Sequence, residues 1–263
     1  MDRKNIFKNN LRNKIKEIKM NNNNNMIKLV AFNYDTDANW NKWNPVDYNK
    51  DQVDEIIKKC KQTPTCLFEN LLGDTKIKPF YDIDIMIQEK NIPSMTKKVK
   101  FIKSIKEQTL EVLKPLYPDS DIAVACSHGD KKKKYQEGGV QKTKNGFAIS
   151  FHFVMNGYET TIDDLRKFNA KHKLYNIKFK DENNYLENDP KEIMMFDKGI
   201  YRKNGLMRMI LCHKPKDERK KVASSHIKEP LKHFFHSNDF TNPNAKDLPD
   251  MSPPSSPPQS PKA

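Results

Sequence analysis

Asp82 and Asp84 stand two positions apart in an apolar segment that alternates in the manner of a β-strand. Alternate residues of a strand share a face, so both carboxylates would lie together while Ile83 and its apolar neighbours face a core. Two like charges held side by side repel unless a cation lies between them, which makes the pair a candidate site for a divalent metal. The alternative is a half-exposed strand with two solvated carboxylates, but Phe80 and Met86 flank the acids on their own face.

Ser150 and His152 show the same spacing in a second apolar segment. Strand geometry would direct both side chains to one face and Ile149, Phe151 and Phe153 to a core. A histidine that donates to a phosphate oxygen, assisted by the serine hydroxyl, is one interpretation. A sheet histidine satisfied by a neighbouring group is the other. A Ser/His hydrolase is disfavoured because the sequence contains no Gly-x-Ser-x-Gly nucleophile elbow.

A third segment carries Asp197, Arg208 and Lys214 around an Asn-Gly turn signal. The turn predicts a hairpin of two strands, 194–201 and 206–212. Asp197 could complete a trio of carboxylates for two metal ions. Arg208 offers a bidentate fork and Lys214 a point charge, and both suit a polyphosphate. The alternative is an exposed basic hairpin without a ligand.

The net charge of the chain indicates the chemical class of its binding partner. Lys and Arg number 48 against 34 Asp and Glu, which gives a formal net charge of +14. Such an excess favours polyanions, namely nucleic acid, an acidic membrane surface or an acidic protein. Charge alone does not choose among the three, and in many basic proteins it serves only solubility.

The cysteines and the apolar segments indicate the cellular compartment in which the protein is expected. None of the four cysteines stands in a CxxC pair, which disfavours a zinc ribbon and favours buried free thiols in a reducing compartment. The N-terminus lacks the apolar core of a signal peptide, and no apolar run approaches the roughly 20 residues of a membrane span. We therefore expect a soluble, intracellular protein that does not enter a membrane.

The order of predicted elements indicates an α+β fold with a largely antiparallel sheet. Strands are predicted at 77–87 and 147–156, and Ser94 is predicted to cap a long helix between them. A lysine-rich segment, 128–146, is predicted to be a loop. The domain plan has three parts: an amphipathic helix and Asn-rich linker (1–25), a catalytic domain (26–237) and a disordered Pro/Ser-rich tail (238–263).

Taken together, the three segments resemble the motifs of the archaeo-eukaryotic primase superfamily. Lys-Pro-Phe-Tyr-Asp-Ile-Asp at 78–84 is similar to its first motif, and Ser-Phe-His at 150–152 to its Ser-x-His motif. Asp197, with Arg208 eleven residues later and Lys214 six further on, is similar to the third motif of the primase-polymerase branch. Order and spacing agree over about residues 65–215.

The resemblance implies an RRM-like catalytic sheet packed with a second small α/β lobe. It also implies two Mg²⁺ or Mn²⁺ ions, nucleoside triphosphate substrates and 5′→3′ synthesis on a single-stranded DNA template. Carried over, Asp82, Asp84 and Asp197 are metal ligands and catalytic residues. The expected contacts to the incoming nucleotide are Ser150, His152, Arg208 and Lys214.

Template binding is expected from the lysine-rich loop, through salt-dependent and sequence-blind phosphate contacts. The lysines concerned are Lys131, Lys132, Lys133, Lys134, Lys142 and Lys144. A replicative helicase or polymerase is the partner that the resemblance suggests. The Asn/Lys bias and this loop point to the large-DNA-virus branch, which would place the protein in the host cytoplasm or nucleus.

Two departures from the family pattern bear on initiation. Many relatives have Asp-x-Glu where this chain has Asp82 and Asp84, and no cysteine-rich zinc module follows residue 215. Extension of a strand is therefore better supported than de novo priming. Two other functions stay open: a metal-dependent nuclease, which would degrade DNA without added nucleotides, and a non-catalytic nucleic-acid-binding module, which would present aromatic residues for base stacking. A rolling-circle nickase is disfavoured because His152 lies between two phenylalanines rather than in a His-hydrophobe-His pair.

Overall fold

A computed structural model of the 263-residue chain underlies the description that follows. The residues that the structure describes are 26–34, 41–49, 53–62, 66–71, 75–91, 94–182, 185–186, 194–202, 205–214, 219–224, 231–236 and 244–249. The predicted N-terminal helix and Asn-rich linker (1–25) and the last part of the predicted tail (250–263) lie outside these ranges.

Within the described residues, eleven strands and three α-helices alternate without a regular βαβ repeat. In chain order they are β1 (Met26–Tyr34), β2 (Asn41–Asn49), α1 (Val53–Gln62), β3 (Leu67–Leu71), β4 (Phe80–Gln88), α2 (Met95–Leu116), β5 (Asp121–Cys126), β6 (Gly129–Glu137), β7 (Val140–Asn156), β8 (Tyr158–Glu159), α3 (Ile162–Lys171), β9 (Gly205–Arg208), β10 (Val222–Ala223) and β11 (Lys246–Asp247). No helix in the described ranges has the length and apolarity needed to cross a membrane.

Two antiparallel sheets form the framework, which confirms the α+β class. The first sheet has the order β2-β1-β3-β9, and the second has the order β10-β5-β7-β4 with β6 paired to the remaining length of β7. The second sheet contains both segments that carry the paired polar residues, because β4 and β7 are neighbours in it.

The main core lies on one face of the second sheet, where alternation in β4 buries every second residue. Tyr81, Ile83 and Ile85 are each at most 1% exposed. They belong to one cluster with residues of β7, α2 and α3, which include Phe151, Phe153, Ile105, Leu113, Leu165 and Phe168. The predicted alternation is confirmed over 81–85, where Asp82 and Asp84 lie on the opposite face, but the strand begins at Phe80 rather than at 77, and Phe80 and Met86 are buried as well.

A smaller cluster joins the first sheet to α1. Ile56 and Cys60 of α1 pack against Leu67 of β3 and against Met209 and Cys212, which follow β9. The helix exposes Asp54 and Glu55 in its first turn, where the positive end of the helix dipole favours acidic residues. The residues before the helix, up to Asn49, belong to β2, and α1 begins at Val53.

The predicted loop at 128–146 is instead a long β-hairpin. β6 and β7 pair in register from Gly129 opposite Ala148 to Glu137 opposite Val140. Gly138 and Gly139 form the turn with φ of 58° and 78°, positive values that glycine adopts at no steric cost. The prediction was wrong because the lysine-rich stretch shows no apolar alternation that would indicate a strand. The pairing is determined instead by the two-glycine turn and by the continuation of β7.

The hairpin predicted at 194–212 is also wrong. β9 pairs with β3 in the first sheet, with Met207 opposite Glu69. Residues Lys198–Ile200 form a 3₁₀ turn, and the Gly205 amide then donates to the Arg202 carbonyl rather than into a ladder with the preceding segment. The two halves of the third motif therefore approach the site from different directions.

The prediction that everything beyond residue 238 lacks structure is wrong for part of that segment. Lys246 and Asp247 form β11, which pairs in parallel with β8. Lys246 forms an ion pair with Asp119 at 2.8 Å, and Asp247 forms one with Lys76 at 2.6 Å. A low apolar content indicates disorder only where no specific partners exist, and here the segment pairs with β8 through its backbone, with the Lys246 amide donating to the Gly157 carbonyl at 2.9 Å.

Candidate active site

The structure brings the two polar pairs together on one face of the second sheet. In the β4–β7 register Asp82 lies opposite His152, and Asp84 lies opposite Ser150. The His152 Nε2 atom is 3.4 Å from Asp82 Oδ1. Because both segments alternate and pair directly, two motifs about 70 residues apart in sequence become one four-residue surface.

Asp197 reaches the same place from a different connection. Its amide donates to the Asp82 carbonyl at 3.2 Å, which ties residue 197 to the edge of β4. Its Oδ1 accepts from the Gly199 amide at 2.6 Å and so caps the following 3₁₀ turn. The three predicted carboxylates therefore belong to one region, although Asp197 lies in a turn rather than in the predicted strand.

The surroundings of Asp82 destabilise the ionised form of its carboxyl group. Burial, with the charges of Asp84 and Asp197, raises the pKa of this carboxyl to about 7, although the ammonium groups of Lys214 and Lys221 act against the rise. Within the described residues Asp82 Oδ1 is buried without a hydrogen-bond partner. A buried carboxylate oxygen in this state is one that a cation would stabilise.

His152 is held as a neutral imidazole. Burial, followed by the charges of Lys221 and Arg208, lowers its pKa well below the usual value. Its Nδ1 atom is buried, and no hydrogen-bond partner for it occurs among the described residues. A neutral ring carries one N–H: on Nε2 it faces Asp82 and leaves Nδ1 as an acceptor, whereas on Nδ1 it is available for donation to another group.

Ser150 is buried beside this ring, and its backbone is fixed by a second histidine. The Ser150 amide donates to His128 Nδ1 at 3.1 Å, and the Ser150 carbonyl accepts from the Ser127 amide at 3.0 Å. Burial lowers the pKa of His128 to about 4, so this imidazole acts as a neutral acceptor. Sequence reasoning missed His128 because its residue type carries no signal outside a motif.

The two predicted nucleotide-binding cations differ in their surroundings. Arg208 is 3% exposed, and its guanidinium donates to the Arg219 carbonyl at 2.8 Å and to the Ser127 hydroxyl. Lys214 is exposed. The charges of both act on His152, so both are near the site, but only Lys214 is presented to solvent.

A third cation, Lys221, was not predicted. It is 1% exposed, and its Nζ donates to the Arg208 carbonyl at 2.6 Å. Burial and the neighbouring Arg208 lower its pKa to about 7, while the carboxylates of Glu69 and Asp82 act against the fall. Nothing in the sequence separates Lys221 from the adjacent Lys220, since only the fold buries one of them.

Behind Lys221 lies a buried acid–base pair that sequence reasoning also missed. Glu69 Oε2 is 2.6 Å from His236 Nδ1, and it accepts from the His236 amide at 2.8 Å. Both residues are at most 1% exposed. The His236 carbonyl accepts from the amide of Lys78, the first residue of the 78–84 motif, at 2.7 Å. This pair therefore anchors the start of β4.

The lysines predicted to bind DNA lie on the β6–β7 hairpin, whose base meets the site. Lys131 Nζ is 3.5 Å from Asp84 Oδ2. Lys132 and Lys142 are exposed, and Lys144 is half-buried. Lys133 and Lys134 are residues of β6. The hairpin therefore extends the sheet that carries the carboxylates, so its basic strands start at the site.

The carboxylate side chains of the site are oxygen donors of the kind that bind a divalent cation. Carboxylate oxygens are the ligands that Mg²⁺ and Mn²⁺ prefer. Within the described residues, no three His, Cys, Asp or Glu side chains converge as a ready ligand group. The unsatisfied Asp82 Oδ1 and the mutual repulsion of the three aspartates nonetheless fit a cation in chemistry and in location.

No protein-family model matches the chain, and no curated protein matches it.

Proposed function

We propose that this protein is a template-directed nucleotidyltransferase of the primase-polymerase type. The observation that carries the proposal is the direct pairing of Asp82 with His152 and of Asp84 with Ser150, with the Asp197 amide bonded to the Asp82 carbonyl. Acidic and phosphate-binding groups then lie side by side, as transfer of a nucleotide from a triphosphate requires.

Each group has a role in this proposal. Asp82, Asp84 and Asp197 would hold the Mg²⁺ or Mn²⁺ ions. When bound, these ions would activate the attacking 3′-hydroxyl and neutralise charge on the departing pyrophosphate. The neutral His152 ring donates to a phosphate oxygen, and the Ser150 hydroxyl assists it. Exposed Lys214 attracts the triphosphate as a point charge.

The remaining groups position the substrates. Arg208 is buried at the end of β9, where its guanidinium is bonded to protein groups, and it would supply a fixed positive charge beside the triphosphate. The basic β6–β7 hairpin contacts the phosphates of a single-stranded DNA template. An RRM-like arrangement for the catalytic sheet is supported by antiparallel β4, β7 and β5 and by the packing of α2 and α3 residues in one core.

A non-catalytic nucleic-acid-binding module is less well supported. Such a module stacks bases on exposed aromatic side chains. Among the side chains whose exposure the structure describes, which do not include those of β1 and β2, the large exposed apolar ones are aliphatic, namely Met95, Val99, Val140 and Val222. A carboxylate pair would also repel phosphate without a cation.

Primer extension tests the proposal. Single-stranded DNA template, labelled nucleoside triphosphates and Mg²⁺ or Mn²⁺ are incubated with the protein, with and without an annealed primer. We expect extension in wild type and its loss in Asp82→Asn and Asp197→Asn, both of which should still bind DNA. Asp54→Asn, which removes an exposed carboxylate of α1, is the matched control and should extend normally.

The same assay separates the rival enzyme. A metal-dependent nuclease would shorten the labelled DNA in the absence of nucleotides, and the two aspartate variants would abolish that loss instead. Extension that persists in either aspartate variant contradicts the assignment of the site.

A further inference from the structure

Residues 219–224, here called the strap, connect the two sheets beside the site. On the side of the first sheet, the Leu211 amide donates to the Lys221 carbonyl at 2.7 Å, and the Lys221 amide donates to the Cys212 carbonyl at 2.9 Å. The Lys221 side chain adds a third bond, from its Nζ to the Arg208 carbonyl at 2.6 Å. The strap therefore fixes the end of β9 and the turn after it.

On its other side the strap joins the second sheet. Val222 and Ala223 form β10 and pair with Cys126 and Ala125 of β5. The Ser224 amide donates to the Val124 carbonyl at 2.7 Å. Because Ala125 pairs in turn with His152 of β7, the strap lies two strands away from the predicted phosphate-binding histidine.

The Arg208 guanidinium is enclosed between these two attachments. One of its terminal nitrogens donates to the Arg219 carbonyl, and the other donates to the hydroxyl of Ser127, which follows β5. The Arg208 side chain is thus bonded to the strap and to the second sheet, while the Lys221 ammonium donates to the Arg208 backbone carbonyl. The orientation of Arg208 is set by groups that belong to both sheets.

Stability alone does not explain why Lys221 is a lysine. An ammonium group that is 1% exposed has lost its hydration, and replacing a buried charge by an apolar residue of similar volume is often neutral or stabilising. A methionine would occupy a similar volume without that cost. A buried cation beside a site of three carboxylates is instead typical of a functional position.

We infer that Lys221 is a positioning residue: through its bond to the Arg208 carbonyl and through the strap, it keeps the buried positive charge of the Arg208 guanidinium beside the phosphates of the incoming triphosphate. This inference rests on the proposed function for the identity of the ligand. It goes beyond that function by assigning a role to a residue and a segment outside the three motifs.

The test compares Lys221→Met with three other variants. Lys221→Arg retains a cation, Lys220→Met removes a neighbouring exposed lysine as the matched control, and Ser127→Ala removes a side-chain partner of Arg208. Four quantities are measured: KM and kcat for the nucleoside triphosphate in primer extension, the melting temperature, and the rate at which phenylglyoxal modifies Arg208, followed by mass spectrometry.

For Lys221→Met we expect KM for the triphosphate to rise about ten-fold, as for the loss of a charged hydrogen bond, with a smaller change in kcat. The melting temperature should be unchanged or higher. Arg208 should react several-fold faster with phenylglyoxal than in the Lys220→Met control. Lys221→Arg should restore part of the affinity, and Ser127→Ala should reproduce the faster modification even if Lys221→Met does not fold.

A fall in melting temperature with unchanged KM would make Lys221 a purely structural residue and overturn the inference. Unchanged Arg208 reactivity in both Lys221→Met and Ser127→Ala would overturn it as well. If wild type shows no extension, the proposed function fails, but the phenylglyoxal rates still show whether Lys221 holds Arg208. The two failures are therefore distinguishable.

Discussion

At the scale of single residues, Asp82 is the group in the site whose ionisation destabilises the fold most. Its side chain is 15% exposed and lies beside two further aspartates, and its carboxylate form is disfavoured by burial before any repulsion is counted. A folded-state pKa above the unfolded value means that the folded protein binds the proton more tightly. Without a cation, ionised Asp82 therefore destabilises the fold above about pH 7, and protonation relieves this cost as the pH falls.

Asp82→Asn should therefore stabilise the metal-free protein at pH 8, by roughly 2–4 kcal/mol, because the amide is never charged. The difference from wild type should shrink as the pH falls below 7 and vanish only below about pH 3, where Asp82 is protonated in both the folded and the unfolded state. Urea unfolding in a chelator across this range measures it. Glu111→Gln, on the exposed side of α2, is the control, and an equal gain in that variant would contradict the argument.

Residue patterns in the sequence predicted the side chains of the candidate site better than they predicted the residues that support those side chains. Alternation was enough to place Asp82 with Asp84, and Ser150 with His152, because strand geometry has a fixed period of two. It could not pair the two strands with each other, since register depends on contacts distant in sequence. Lys221 could not be found at all, because a buried and an exposed lysine look alike in a sequence.

At the scale of elements, the β6–β7 hairpin has two chemically distinct faces. Residues at alternate positions of β7 share a face, so Lys144 lies on the side of Ser150 and His152. Lys131 pairs with Gly146 and shares that side, as its contact with Asp84 shows. Lys132 pairs with Asn145, which places it on the opposite side of the hairpin.

Single substitutions on the two faces should therefore differ although each removes one charge. Lys144→Gln should weaken binding of single-stranded DNA and reduce the log–log salt slope by about 0.7, the value for one phosphate contact on a single strand. Lys132→Gln should change both much less, and KM for nucleotide should stay constant in both variants. Fluorescence anisotropy over a range of salt concentrations measures the slopes, and equal losses in the two variants would disprove the face assignment.

Gly146 shows why the hairpin was predicted as a loop. Glycines near lysines indicate a loop when strand pairing is not known. In the structure Gly146 lies between β4 and β6, and a Cβ atom there would overlap the carbonyl oxygen of Ile87 and the Met86 side chain. The glycine is required by close approach of strands rather than by a turn, a distinction that only the three-dimensional packing makes.

At the scale of the whole molecule, the candidate site is built where the two sheets meet. The second sheet supplies Asp82, Asp84, Ser150 and His152, while Arg208 comes from the first sheet. The α+β class followed from the order of predicted elements, but the division into two sheets did not. It depends on β9 joining β3, and a local turn signal misassigned that strand to a hairpin.

The C-terminal segment allows a test of which parts of the chain the proposed activity requires. β11 pairs with β8, which follows β7 beyond the end that carries His152, and its ion pairs to Lys76 and Asp119 are exposed. Exposed ion pairs contribute little stability, because solvent screens them and ordering the side chains costs entropy. The segment should therefore support the fold modestly and take no part in chemistry.

Truncation after Pro249 should leave both the melting temperature and primer extension unchanged, since it removes only a polar, Pro- and Ser-rich sequence. Truncation after Asp239 also removes β11, and it should lower the melting temperature by a few degrees while kcat at 25 °C stays the same. Differential scanning fluorimetry and the primer-extension assay, run on both truncated chains and on Lys246→Gln, separate these effects. Lys246→Gln should reproduce part of the loss in melting temperature, because it breaks the ion pair to Asp119 without shortening the chain. A large loss of turnover after truncation at Asp239, with the fold intact, would instead show that β11 or the residues around it contribute to catalysis.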